Sequence, residues 1–265
     1  MTAAAFAALL LAGCSDDHQS ATPYQLPDNV QFSYRWTATP GLDLESDPAI
    51  VTRATIESAF IATVTRTTDK SDIAKYTYPG YIRAADPAVR SKEPNLYTLW
   101  DAGTFDTWVP VHGTAYAYLV SLQKSSGDPS ARAMDALACV WLNGLSVSFQ
   151  TPNYRSLMDP ALVPQAVTLK LRAPQDDTSK LTALGHGPAR YPTADVFGQW
   201  SVESITVNSS RIQAVPYQDP CAGLPNNPVP LELLNTTSLT YYPKHLPTLD
   251  PDPGWAATTV EPPKP

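Results

Sequence analysis

Histidine and cysteine are scarce in this chain of 265 residues, four of the first and three of the second, and that scarcity removes several kinds of chemistry. His18, His112, His186 and His245 nowhere stand at a ligand spacing such as i, i+4 on a helix, so no metal site is expected. No G-x-S-x-G elbow, phosphate-binding glycine loop or C-x-x-C pair occurs either. The usual serine-hydrolase, nucleotide-binding and thiol-redox patterns are thus missing, and no cofactor and no catalytic residue is assigned. Positive charge is also short: 18 Lys and Arg face 25 Asp and Glu, a net charge of -7. That balance argues against nucleic acid, whose phosphates demand a basic face, and against anionic lipid headgroups. Long apolar runs are missing too. Ala3 to Leu11 is uninterrupted, but it falls well short of the about 20 residues that span a bilayer and suits a signal-peptide core.

The residues directly after that run are specific. Leu11-Ala12-Gly13-Cys14 leads abruptly into the polar tract Ser15-Asp16-Asp17-His18-Gln19-Ser20. The quartet resembles the lipobox of bacterial lipoproteins. The resemblance implies a signal peptide over residues 1–13, a lipid on the Cys14 thiol, and a protein held at the extracytoplasmic face of the cell membrane. Each buried lipid methylene contributes about 0.8 kcal/mol, so two or three chains hold a domain where one binds marginally. One departure stands out: nothing before Cys14 is charged, whereas signal peptides open on a basic region. A true start upstream of Met1 is the expectation. Residues 14–27 read as a polar tether.

The remaining cysteines, Cys139 and Cys221, are expected to be bridged in an oxidising compartment; two unrelated thiols are the alternative. With 43% hydrophobic residues the rest can fill a core, and a globular domain over 28–221 is expected. Val30, Phe32, Tyr34 and Trp36 alternate with polar residues, the period of a half-buried strand. Ser46-Asp47-Pro48 opens a helix over about 48–66, with Ile50, Ala54, Phe60, Ile61 and Val64 on one face. Arg53 and Glu57 fall inside that same face, four residues apart. They are either a salt bridge at the stripe's edge or the polar lining of a pocket.

Residues 76–94 read as irregular, with turns at Tyr78-Pro79-Gly80-Tyr81 and Asp86-Pro87. A β-prone segment over 96–123 is broken at Pro110 and Gly113. A second helix is expected over 130–142, between Asp128-Pro129 and Asn143-Gly144, with Met134, Leu137, Ala138 and Trp141 as its buried stripe and Cys139 turned outward toward Cys221. Strands are expected next at 145–150 and 167–172, then a hairpin over 196–215. Residues 222–265 form a proline-rich extended or disordered tail.

Three weaker patterns carry little. Ser121-Leu122-Gln123-Lys124 has the S-x-x-K spacing but ends a strand and has no K-T-G partner. Asp250, Asp252 and Glu261 count like a calcium loop, yet Trp255 stands where glycine is required. Asp101, Asp106 and His112 share one β-rich segment and are more simply turn and surface residues.

These elements predict an α+β domain, a curved antiparallel sheet packed against two main helices. Over about 45–215 their order resembles nuclear transport factor 2-like domains, a likeness that implies fold and not function. The expected function is a non-enzymatic binding or assembly lipoprotein of the cell envelope. Its partners would be the membrane, through the anchor, and an envelope protein or small ligand. Tyr78, Tyr81, Trp100 and Trp108 are its candidate surface aromatics, against ordinary core packing. Two alternatives are a ligand carrier or enzyme with Arg53 and Glu57 lining a pocket between helix and sheet, and a surface lipoprotein of a prophage or mobile element.

Overall fold

The computed structural model describes residues 24–65, 70–92, 109–125, 131–150, 153–157, 164–177, 180–208, 220–224, 228–234 and 241–257. Strand β1 (Val30–Ala38) forms where the alternation predicts it, and Val30, Phe32, Tyr34 and Trp36 are all buried. Its neighbour β2 (Val111–Lys124) runs parallel, with Val30 opposite Val111 and Ala38 opposite Leu119. Parallel strands need a long crossover. Three helices occupy it: α1 (Asp47–Val64), α2 (Lys70–Tyr76) and α3 (Tyr81–Lys92). The other described strands are β3 (Ala131–Trp141), β4 (Leu145–Gln150), β5 (Asn153–Ser156), β6 (Gln165–Pro174), β7 (Ser201–Asn208) and β8 (Tyr241–Tyr242). They pair antiparallel in the order β7-β6-β3-β2-β4-β5-β8, with β1 beside β2. The fold is therefore α+β, a curled and mostly antiparallel sheet with helices.

Strands β3 and β4 share one edge of β2, Trp141 facing Tyr116 and Leu145 facing Gly113. They are in effect one long strand bent at Leu142-Asn143-Gly144. On one side of the bend it carries β6 and then β7; on the other it carries β5 and then β8. At the bend Gly113 has φ 118°, and the Thr114 N–H donates to the Gly144 carbonyl at 3.0 Å. A Cβ on Gly113 would collide with that carbonyl, and one on Gly144 with the carbonyl of Thr114. Both positions therefore need glycine.

Helix α1 is buried from Ala49 to Val64, more completely than one apolar stripe predicts. Its floor is made of small residues, among them Ala115, Ala117, Ala136 and Ala138. Tyr81, Ala84 and Ala85 of α3 and Leu181, Val196, Phe197 and Trp200 of the irregular segment 180–200 join the same core. Polar side chains survive this burial by bonding locally. The hydroxyls of Thr52, Thr55 and Thr63 donate to carbonyls four residues back at 2.7, 2.7 and 2.9 Å.

Two expected elements are corrected. Residues 130–142 are not a helix but β3, in the middle of the sheet between β2 and β6. The stretch is rich in Ala, Met and Leu, good helix formers, but its pairing on both edges outweighs that weak preference. Alternation, not helical phase, turns Ala136, Ala138 and Val140 to the main core and Cys139 and Trp141 to the opposite face. Among the described residues the helices consequently all lie in the crossover apart from the single turn α4 (Leu231–Leu234). The stretch expected to be irregular over 76–94 is, in its described part to residue 92, mostly helical, since α2 ends at Tyr76 and α3 occupies 81–92 with Pro87 inside it. The turn at Tyr78 is present, with Gly80 at φ 87° and the Tyr81 N–H bonded to the Tyr78 carbonyl. Asp86-Pro87 continues the helix because Tyr81, Ala84 and Ala85 bury one side of it. The strands expected at 145–150 and 167–172 are β4 and the middle of β6; the second arm of the hairpin after β7 lies outside the described residues.

The outer face of the sheet has its own small core of Tyr116, Tyr118, Cys139, Trp141 and Ala166, covered by Cys221 and Val229. Cys139 and Cys221 are disulfide-bonded, their Cα atoms 5.8 Å apart. Nearby, the Asn143 amide donates to the Leu233 carbonyl of α4 at 2.7 Å.

Candidate functional site

After β8 the chain crosses the outer face of the sheet almost strand by strand. Its partners are Tyr154 on β5, Ser146 on β4, Thr114 on β2 and Ser33 on β1. The Leu246 N–H donates to the Ser146 hydroxyl at 2.9 Å. The Thr114 hydroxyl donates to the Pro247 carbonyl and accepts from the Leu249 N–H, both at 3.0 Å. At the free edge of β1 the Trp36 N–H donates to the Asp252 carbonyl at 2.6 Å, and Arg35 pairs with the Asp252 carboxylate at 2.9 Å. An edge strand is thereby given a partner. The segment 245–255, here called the strap, then turns around that edge into the core. There Trp255 is 1% exposed and exchanges two backbone hydrogen bonds with Ala189. The region expected as a tail from 222 is extended over 243–255, and these residues are bonded to the domain.

Arg53 and Glu57, singled out by their place in the apolar stripe of α1, stand where the strap ends. Both are fully buried. The Arg53 guanidinium donates to the carbonyls of Gly185 at 2.9 Å and Pro253 at 2.7 Å, and more weakly to those of Leu44 and Gly254 at 3.3 Å. It thus joins the loop before α1, the irregular cover and the strap. Glu57 accepts from three donors: Trp36 Nε1 at 2.8 Å, the Tyr78 hydroxyl at 2.7 Å and Trp255 Nε1 at 3.1 Å. Trp255 touches both charged groups, since Arg53 also lies over its ring, 4.5 Å from the centroid.

Desolvation dominates the electrostatics. Burial lowers the Arg53 guanidinium from its usual value and raises the Glu57 carboxyl from its own, while attraction between the two charges works against both shifts. Tyr34 and Tyr78 are pushed well up, first by burial and then by the negative charge of Glu57. The carboxylate is committed to three donors and the guanidinium to four carbonyls, so the pair is built to hold segments together. Of the two sequence readings, the edge salt bridge gives way to an interior hub. The donors Trp36, Tyr78 and Trp255 were not foreseen as its members. One signal was available, a lone tryptophan beside Pro253-Gly254 in a segment otherwise rich in proline.

The other residues named from sequence are dispersed. Cys14, Trp100, Asp101, Asp106, Trp108 and Glu261 lie outside the described residues. Tyr78 and Tyr81 are buried rather than surface aromatics, because the turn between α2 and α3 folds them against the core. Ser121 and Lys124 end β2. His112, on β2, stacks on His245 of the strap, the ring centroids 4.6 Å apart, and Tyr154 stands edge-on to both. Among the described residues no three His, Cys, Asp or Glu side chains gather as a metal site, and no helix is long and apolar enough to cross a membrane. Comparison with protein-family models, curated proteins and solved structures returned no match.

Proposed function

We propose that this chain is a lipid-anchored protein on the outer side of a bacterial cell membrane, acylated at Cys14, whose domain serves as a non-enzymatic binding or assembly module. The observation that carries the reading is Leu11-Ala12-Gly13-Cys14 followed at once by a polar tract. Two features support it. The Cys139–Cys221 bond fits an oxidising, extracytoplasmic compartment. The polar composition of residues 14–27 suits a tether on which the domain would stand off a membrane.

The non-enzymatic part of the reading is supported by the interior hub, whose charged groups are bonded to the protein itself. The finer likeness to nuclear transport factor 2-like domains belongs to the same proposal; the curled sheet around α1 favours it. Metabolic labelling with an alkyne fatty acid tests the anchor. Wild type is expected to be tagged and to stay with membranes, and Cys14→Ser to be untagged; equal tagging of both refutes the anchor. Cross-linking in intact envelopes tests the binding role, which predicts recovery of a partner with wild type at levels above background, and recovery of none counts against it.

A further inference from the structure

Residues 245–249 of the strap are held to the outer face by neutral hydrogen bonds and by one aromatic contact that can change charge, the stack of His245 on His112. The two rings are nearly parallel, 19° apart, with centroids 4.6 Å apart. His245 is exposed and His112 half-buried, so protons reach both. We propose that this stack is an acid-sensitive clasp, closed while at least one imidazole is neutral and opened when both are protonated, so that residues 245–249 lift from the sheet in mild acid.

The charge logic is local. One imidazolium against a neutral ring still attracts, whereas two imidazolium rings at this distance repel. Few other groups offset that repulsion. The register partners of His112 are Gln31 on β1 and Ser146 on β4, both uncharged. Tyr154 on β5 stands edge-on to both rings, while its neighbour Arg155 points to the opposite face by strand alternation. On the strap side Arg35 and Asp252 are paired with each other. Burial first and the charge of His245 second hold His112 below the usual imidazole value. The bonds that would let go are all between neutral groups: the Leu246 N–H to Ser146, Thr114 to Pro247 and Leu249, the Gly113 N–H to the Thr248 hydroxyl, that hydroxyl to the Gln31 carbonyl, and the Ser33 hydroxyl to the Leu249 carbonyl. Trp255 and its partners lie beyond the edge of β1 and are untouched by this change, so opening is confined to the outer face.

Amide hydrogen exchange on the folded domain, corrected for intrinsic rates, tests the clasp at pH 7.5 and pH 5.0. Leu246 and Leu249 of wild type are expected to lose about tenfold or more of their protection at the lower pH, with Trp255 and Ala189 unchanged. His112→Gln and His245→Gln, each made separately, remove the pH-dependent part and leave less than about a threefold change. Equal protection of Leu246 and Leu249 at the two pH values in wild type, or an undiminished loss in both variants, overturns the proposal.

Discussion

Trp255→Ala separates a strap that belongs to the core from a tail that rests on it. The indole is 1% exposed, donates to Glu57 at 3.1 Å and carries Arg53 over its face at 4.5 Å. Removing a buried tryptophan costs about 3–5 kcal/mol from lost burial and cavity. The carboxylate keeps Trp36 and Tyr78, but loss of one donor to a buried charge adds about 1–3 kcal/mol. Water entering the vacated volume solvates the pair and offsets part of that addition. A net loss of about 3–5 kcal/mol is therefore expected, a large share of a typical domain's stability. Urea unfolding at pH 7 followed by far-ultraviolet circular dichroism measures it, with an unchanged slope showing that the folded state is still compact. Trp255→Phe keeps the ring under Arg53 and is expected to lose only about 1–2 kcal/mol. A Trp255→Ala loss below about 1 kcal/mol would show that the interior hub does not depend on the strap.

The same geometry sets two further outcomes. Glu57→Gln sets an amide N–H₂ against three donors and leaves at least one of them unsatisfied in the interior, so about 1–3 kcal/mol should be lost in urea unfolding at pH 7. Burial raises the Glu57 carboxyl in the folded state, so the folded chain holds the proton more tightly than the unfolded one. Its contribution is complete below the unfolded carboxylate value of about 4.3 and diminishes as pH rises above it. The wild-type minus Glu57→Gln stability difference is therefore expected to shrink from pH 4.5 upward, and a difference that grows with pH contradicts the assignment. Reduction of Cys139–Cys221, or Cys139→Ser with Cys221→Ser, should cost about 2–5 kcal/mol, read as a lower urea midpoint.

The parts of the fold that could be read from sequence are those whose burial is one-sided or whose boundaries are marked. In β1, Phe32, Tyr34 and Trp36 face α1 while Ser33 and Arg35 face the strap, so the two-residue period is clean. Ser46-Asp47-Pro48 marks the start of α1 whatever packs against it. Cys139 and Cys221 paired once Cys14 was set apart, although Cys139 points outward from a strand and not from a helix. Strand β3 escaped recognition because both of its faces are buried, which erases the alternation, and its alanines favour a helix in isolation. The interior site was half visible. Arg53 and Glu57 stood out as charges in an apolar face, but what satisfies them comes from Trp36, Tyr78, Gly185 and Trp255, and no local pattern announces pairings over such separations.

The Arg53 hydrogen bond to Pro253 spans 200 positions of sequence. Helix α1 emerges early in synthesis, yet the carbonyls and indole that accommodate its charges emerge some two hundred residues later. Folding of this domain consequently cannot finish on a partly made chain, and contacts of such long range also make it slow. On the proposed export route, where the chain crosses a membrane before folding, that delay keeps it open during passage. A product cut short before residue 253 leaves Arg53 without two of its four carbonyls and Glu57 without one of its three donors.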